Sequence, residues 1–583
     1  MPVEWREWGE DTYDEAARLE RPVFLCLVAS WCRFSKRIER GVLSDPAVAS
    51  LLNDRFVPIK VDKDRRPEVN DRYNMGGWPS LCVLTSDGEL ITGGTSFSVD
   101  ELKDLLERVA RYYAERRDVI ATAVQEMLRR EEEEDRSRAM RNGELTNDIV
   151  EKVEGAILDS FDESFGGFGD GQKFPHWESI DFAMLRYVET RDERLGLVVD
   201  KTLTSMAESP MHDVEQGGFF RYSTNRDWRA PHTEKLLETN VGLLRNYLEA
   251  YQTFERPSFR RVAEKIVHFM REQLRHAEVP AFGGSRDSND DYYARPLAER
   301  AGMEKPLADW TIYVNWNAAA VSALYKAAAV LGDPSCAEMA EETLSFLLEE
   351  CYDRGRGFYH YHDGGRHILG LLTDQAYASR ALLHAAQFTG DRRYLDVAED
   401  VLQILVSKQK GSHGGFYDIR VGQEAIGGLR RRNQSILENG LIAEVFLRAH
   451  YLTQKAEYLE TAERTLRLFA EDYHMYGYFT AGYARAVDLY LYPPVHAVIV
   501  GDRDDAMTLA MTKAATEIYI PSKLVQVIDP AQDEDLLEAF ELPRGKATTA
   551  YVNLRTAHVA SVSDAAALAR VMNEQRGGDP GDA

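Results

Sequence analysis

Cysteine is scarce in this chain: five among 583 residues, an odd number. No disulfide framework is expected, and a reducing, cytoplasmic setting follows. No apolar run approaches the roughly 18 residues of a membrane-spanning helix. The opening "MPVEWREWGEDTYDEA" is acidic and carries tryptophan, which is not the pattern of a secretory signal. Positive charge is in deficit, with 70 Lys and Arg against 96 Asp and Glu and a net charge of −26. Such a balance repels nucleic acid and anionic membranes. The excess reads as solvation and implies no partner. "VGDRDD", after the apolar "VHAVIVG", is not a glycine-rich phosphate loop, so nucleotide binding is unsupported and no cofactor is expected. In "FYHYHDGGRH", His360 and His362 share a face of a strand, with His367 past the turn. No Cys or Glu stands beside them at a standard ligand spacing, so no metal is assigned.

What is present is enough apolar residue for several cores. The hydrophobic fraction is 44% and the charged fraction 28%, ordinary globular values, and the length predicts two to four domains. Over the first hundred residues strand and helix patterns alternate. "PVFLCLVA", "FVPIKVD", "GGWPSLCVLT" and "LITGG" read as strands, and "SVDELKDLLERVARYYAERR" as a closing helix. "WC" at Trp31–Cys32 lies between a strand and a helix, and "GGWP" ends at Pro79. These features resemble a thioredoxin domain over residues 1–115, and the resemblance implies a cis Pro79 facing Cys32. A cysteine at a helix N-terminus feels the positive end of the dipole, which favours thiolate. Ser35 stands where a second cysteine would resolve a mixed disulfide, so Cys32 alone cannot complete a dithiol cycle. Cys32 is therefore either a thiol that holds client proteins or a relic on a packing domain, while Cys26 and Cys82 read as core residues.

Residues 116–145 are expected to form a charged helical linker, with Glu131–Glu134 extending the closing helix. Beyond it, a glycine-aromatic signal recurs six times: "GGFG" at Gly166, "GGFF" at Gly217, "FGGS" at Phe282, "GRGFY" at Gly355, "GGFY" at Gly414 and "YGYF" at Tyr476. Recurrence at intervals of this kind marks a repeat architecture. An amphipathic helix precedes each signal. After each comes a second helix, and several of these are apolar nearly all round, as in "NAAAVSALYKAAAV"; such helices are buried. Six outer and six inner helices joined by six hairpins predict an (α/α)6 toroid over 146–492, which resembles the six-hairpin glycosidase fold.

In such a ring the hairpins and the starts of the inner helices line the mouth. Those stretches hold Lys173, His176, Trp177 and Glu178, then Trp228, His232, Glu234, Lys235, Glu238 and Asn240, then Trp316, Asn317, Asp374, Glu438 and Asn439. Indole faces stack on sugar rings, and Asn, Lys and carboxylates bond hydroxyls. A carboxylate pair serves glycoside cleavage, and a histidine pair serves proton shuttling beside a carbonyl. His176, His232, Glu234 and Asp374 are the candidate catalytic residues. Lys173, Trp177, Trp228, Lys235, Asn240, Trp316, Asn317, Glu438 and Asn439 are the candidates for binding a small-molecule carbohydrate. The alternative for each is helix capping and hairpin tying.

From Pro493 to 573 strand and helix patterns alternate again and predict a small parallel α/β domain, with a disordered tail over 574–583. The chain as a whole is thus multidomain, α/β plus all-α. "PVEWREWGEDTYDEA", "FVPIKVDKDRRPEV", "GGWP", "KFPH" and "APHTEK" together resemble the spermatogenesis-associated, thioredoxin-domain protein family. The resemblance implies a glycosidase-like or epimerase-like toroid joined to a thioredoxin-like domain. Relatives usually carry a dithiol flanked by histidines where this chain has Cys32, Arg33, Phe34, Ser35 and Lys36. The expectation is a carbohydrate-active enzyme, hydrolase or isomerase, with the redox-degenerate domain as lid or recognition module. The alternative is a thiol-dependent binding protein that uses Cys32.

Overall fold

The computed structural model describes residues 2–139, 142–422, 426–545, 547–554 and 557–575. The expected disordered tail lies outside the described residues from 576 onward. None of the described helices is long and apolar enough to cross a membrane.

One unit comprises Met1–Met140 with Pro306–Asp309 and Asp418–Asn433. Its sheet runs in the order Val57–Asp62, Val23–Val28, Ser80–Leu84, Leu90–Gly94. The first pair is parallel and the others antiparallel. A parallel pair needs a crossover, supplied by helices Arg33–Arg40 and Pro46–Arg55. The second of these is set by an Asp45 cap and a first-turn proline. Phe24, Leu52, Leu81, Leu102 and Leu106 share one core. The closing helix Val99–Glu115 starts with a Ser98–Glu101 capping box. It does not run on as expected: a second helix, Arg117–Ala139, begins after the non-helical Arg116 and carries the Glu131–Glu134 run. This is a thioredoxin-like domain. The segment Asp418–Asn433, which lies within the expected ring in sequence, packs here. The Tyr73 hydroxyl accepts from the Gly428 N–H at 2.7 Å and donates to the Gly88 carbonyl at 2.6 Å. Arg72 pairs with Asp418 and donates to the Arg431 carbonyl at 2.8 Å.

The second unit holds the ring and the C-terminal module. The inner helices are Trp177–Thr190, Leu237–Phe254, Val314–Leu331, Leu372–Thr389, Ile436–Thr453 and Ala481–Leu491. Each packs on the next, and the sixth returns to the first. The outer helices are Asn147–Ser160, Glu193–Glu208, Pro257–Phe269, Pro334–Glu350, Arg392–Lys408 and Ala456–Arg467. The (α/α)6 toroid is therefore formed as expected. Two kinds of connection build it. Five inner helices end on a left-handed residue, Arg191, Glu255, Gly332, Gly390 or Gln454. The residue after it caps the outer helix that follows, and in three turns that cap is an aspartate: Asp192, Asp333 or Asp391.

At the other end stand the glycine-aromatic turns. A Cβ on Gly217 would lie 2.1 Å from the Lys265 carbonyl oxygen, so only glycine fits there. Five of the six turns close as short antiparallel pairs at Phe168, Phe219, Phe282, Phe358 and Phe416. The sixth does not. "YGYF" lies in a 3-10 segment, Tyr473–Thr480, with Gly477 at a kink inside it.

An amide at the fourth position of four inner helices locks the turns to the ring. The Asn240 side chain accepts from the Phe219 N–H at 2.7 Å and donates to the Phe219 and Leu236 carbonyls. Asn317 does the same for Phe282 and Tyr313, at 2.9, 3.0 and 2.9 Å. Gln375 holds Phe358 and Leu371, and Asn439 holds Phe416 and Ser435. One carboxamide, with an acceptor oxygen and a two-donor nitrogen, thus satisfies both backbone groups of a buried phenylalanine.

The C-terminal sheet runs in the order Leu524–Ile528, Val495–Val500, Thr549–Leu554, Ala557–Val562. The expectation of a parallel sheet is corrected: only the first pair is parallel. Ala557–Val562 is a fourth strand, absent from the sequence reading because "AHVASV" is short of large apolar residues and sits at an exposed edge. With so few residues between it and Thr549–Leu554, the pair can only be antiparallel.

Asn317→Ala leaves the Phe282 N–H and carbonyl without their partner. It is expected to cost about 1–3 kcal/mol for each orphaned group, read by chemical denaturation of the full chain. A loss within about 0.5 kcal/mol, typical of a surface change, would remove the clamp from the account.

Candidate active site in the ring

The inner helices enclose a cavity of about 240 Å³. Trp177, Glu178, Glu238, Trp316 and Tyr377 line one end, from the first turns of four inner helices. Tyr519, Ile520, Lys523 and Val525 of the C-terminal module line the other, so that module forms its floor. Gly242 makes room for the Trp177 indole: a Cβ there would lie 2.4 Å from the ring.

Glu178 projects into the open cavity, where its side chain keeps contact with water although protein surrounds it on all sides. Burial raises its pKa to about 7 and the charge of Glu238 adds to the shift, against hydrogen bonds from its own backbone and from Trp177. Glu238 and Glu438 also act, after burial, to hold the Tyr377 hydroxyl protonated. The acidic end thus sets a carboxyl whose pKa is raised to about 7 beside a second carboxylate, in a cavity that the Trp177 and Trp316 indoles also line.

The middle of the cavity is built from ion pairs. Asp181 is shared by Arg245 at 3.1 Å and Arg485 at 2.8 Å. Glu249 is shared by Arg245 at 3.2 Å and Lys326 at 2.8 Å. Glu444 pairs with Arg448 at 2.8 Å and approaches Arg485 at 3.6 Å. Burial opposes ionisation of Glu249 and Glu444, yet the surrounding cations hold both well below the usual carboxylate range. Arg380 and His384, one turn apart on the fourth inner helix, also face the cavity. Burial, then Arg448 and Arg380, push the His384 pKa well down, so its imidazole is neutral.

The residues expected from sequence divide into two groups. Trp177 and Trp316 line the cavity, and Glu438 bears on it through Tyr377. The others lie in the hairpins and the helix starts outside it. Lys173 is buried against Asp162 at 2.9 Å, which also binds Arg226. Lys235 is buried against Asp213 at 2.6 Å, and burial lowers its pKa to about 8. Trp228 donates to the Phe165 carbonyl at 3.0 Å. Asn240, Asn317 and Asn439 spend their amides on the clamps. Asp374 accepts from the Asn315 N–H at 3.1 Å and meets His360 at 3.0 Å through both oxygens.

His176 and His232 do not meet in the cavity. His176 packs among Phe168, Phe174, Tyr478 and Phe479, and burial, then Lys173, lowers its pKa to about 4. His232 stacks on Tyr222 at 4.3 Å and lies 3.9 Å from the fully buried Glu234. Among the described residues, no group of three or more His, Cys, Asp or Glu is placed to hold a metal.

Sequence reasoning missed Asp181, Arg245, Glu249, Arg380, Glu444, Arg448 and Arg485. The signal was there: single charges set in otherwise apolar inner helices, as in "GLLRNYLEA" and "ASRALLHAA". A buried charge is retained only when paired or used.

In the other unit, Cys32 caps the helix Arg33–Arg40, and the Trp78–Pro79 peptide is cis. The Cys32 thiol is 2% exposed and lies 3.7 Å from the Trp78 carbonyl. Lys63 sits over the Trp31 and Trp78 rings beside it. Ser35 is buried and accepts from the Ala29 N–H at 3.2 Å. Burial raises the Cys82 thiol to about 12 and the Cys26 thiol further still, in keeping with core roles.

Residues 1–131 match the family model Thioredox_DsbH, described as "Protein of unknown function, DUF255". The chain is similar to spermatogenesis-associated protein 20 of Homo sapiens, 23% identical over 664 residues, covering 91% of this chain and 84% of that protein. It is 30% identical over 273 residues to the uncharacterized protein B0495.5 of Caenorhabditis elegans, a match spanning 44% of this chain and 37% of that protein's length. Among solved structures, a sugar epimerase from a ruminal bacterium aligns with a TM-score of 0.47 at 12% identity, covering 56% of this chain and 86% of that one. The family resemblance read from the motifs is thereby borne out.

Because the native state holds the Glu178 proton more tightly than the unfolded chain does, stability falls as pH rises from about 4.5 to about 7. Water in the cavity limits the size of the effect. Glu178→Gln is expected to flatten that part of the melting-temperature profile, with no difference between the proteins below the window. Parallel profiles across the window would show that Glu178 titrates as an ordinary glutamate.

Proposed function

We propose that the chain is a carbohydrate-active enzyme whose site is the cavity inside the ring, with Glu178 as proton donor and Glu238 as its carboxylate partner. The observation that carries this is the shared end of the cavity, where a protonated carboxyl, a second carboxylate and the Trp177 and Trp316 indoles converge. Stacking faces bind the CH side of a pyranose, and a protonated carboxyl beside a carboxylate is the pairing that glycoside cleavage uses. Cleavage is favoured over isomerisation because His176 and His232, the pair that would work beside a carbonyl, stand outside the cavity. A volume of about 240 Å³ is below the usual ~300–1,000 Å³ of small-ligand sites and suits one terminal sugar unit. The ordered C-terminal floor closes the far end, so the substrate enters past the indoles.

The test is turnover of a panel of disaccharides and aryl glycosides followed by NMR. Glu178→Gln is expected to lower kcat about 10²–10⁴-fold, the usual contribution of a general acid, with KM little changed. Trp177→Ala is expected to raise KM. A Glu178→Gln protein with the full rate, or a panel that the folded chain leaves untouched, would overturn the reading.

A further inference from the structure

One cation in the ring stands outside its ion pairs. Each of Asp181, Glu249 and Glu444 is already held by two cations, drawn from Arg245, Arg485, Lys326 and Arg448. Arg380 comes on top of these. Among the described residues its guanidinium has no carboxylate partner and no hydrogen bond, and its Nε is buried and unsatisfied. It lies over the Tyr377 ring, 4.8 Å away. Burial, then Arg245, disfavour its charge, while Tyr377, Glu444 and Asp181 favour it from a distance. Lys523 at the floor donates to the carbonyls of Ala515, Thr516 and Ile518, and burial pushes its pKa well down, so it is not counted with the cations. His384, one turn from Arg380, forms no hydrogen bond among the described residues and lines the same space.

A guanidinium inside a protein without a paired carboxylate is costly unless an anion compensates it. A guanidinium with free donors is the group best shaped to bind a carboxylate or phosphate through two parallel bonds. We infer that the part of the cavity beside Arg380 is an anion subsite, with Arg380 as its principal ligand, so that the substrate is a small anionic carbohydrate. Glu178 and Glu238 then face the bond to be broken, and Arg380 faces the negative group of the same molecule. This rests on the carbohydrate reading above for the identity of the ligand, but the anion subsite itself rests on the charge placement alone.

The experiment is calorimetric titration of the full chain with glucose, glucuronate, glucose 6-phosphate and inorganic phosphate, in the wild type, Arg380→Gln and Arg380→Lys. The expected result is that at least one anionic sugar binds ten-fold or more tightly than glucose. Arg380→Gln removes that advantage, Arg380→Lys restores part of it, and glucose binding stays unchanged in both. The glucuronate and phosphate arms decide which anion the subsite fits. If inorganic phosphate binds through Arg380 while no sugar does, the subsite stands and the carbohydrate reading falls. If glucose binds and neither anion gains over it, the subsite falls and the carbohydrate reading stands. A loss of all binding in Arg380→Lys as well as Arg380→Gln, with the fold intact by circular dichroism, would also overturn the subsite, because a retained charge would then count for nothing.

Discussion

Four carboxamides hold this ring together. Asn240, Asn317, Gln375 and Asn439 each occupy the fourth position of an inner helix and each grip the backbone of one hairpin phenylalanine. A buried turn must satisfy its N–H and carbonyl groups, and an apolar inner helix offers few partners. One amide with a donor and an acceptor solves both needs, and it fixes the hairpin to the helix start. From that constraint follows the position of four of the hairpins at one end of the ring, where Lys235 is buried against Asp213. The first turns of the inner helices then present Glu178 and Glu238 to the interior instead of to solvent.

The interior is where the structure departs from what stability alone would favour. Replacing buried ion pairs by well-packed apolar groups is often neutral or stabilising, yet here several inner helices carry charge inward: Asp181 on the first, Arg245 and Glu249 on the second, Lys326 on the third, Arg380 on the fourth, Glu444 and Arg448 on the fifth and Arg485 on the sixth. Charges concentrated in a cavity, with carboxylates shared between cations, form an electrostatic environment preorganised for a polar ligand. The floor supplied by Tyr519 and Lys523 belongs to the same arrangement, which gives the C-terminal module a direct part in the site.

Much of the fold was legible because its causes are local. Strand runs, the Asp45 and Ser98 caps, the glycine pairs and the all-round apolar helices are properties of short windows, and they gave the thioredoxin-like domain and the toroid. The sixth hairpin was misread because an aromatic beside one glycine resembles the others without supplying the turn. The edge strand Ala557–Val562 was missed because its residues carry little apolar signal. The site was less legible. Asn240, Asn317 and Asn439 read as polar mouth residues, but the bond that explains them runs to a hairpin 21 to 35 positions away in the chain. Arg380 and Arg245 were visible as lone charges in apolar helices, yet only closing the ring shows that they line one cavity.

The central claim is that small molecules enter the ring interior and not the hairpin layer around His176 and His232. A crystal of the full chain soaked with a mixture of mono- and disaccharides, including a uronic acid, tests this directly. The account predicts an ordered sugar between Trp177 and Trp316, with its carboxylate within hydrogen-bonding distance of Arg380. Sugar ordered beside His176 or His232 with the ring interior holding none would contradict it.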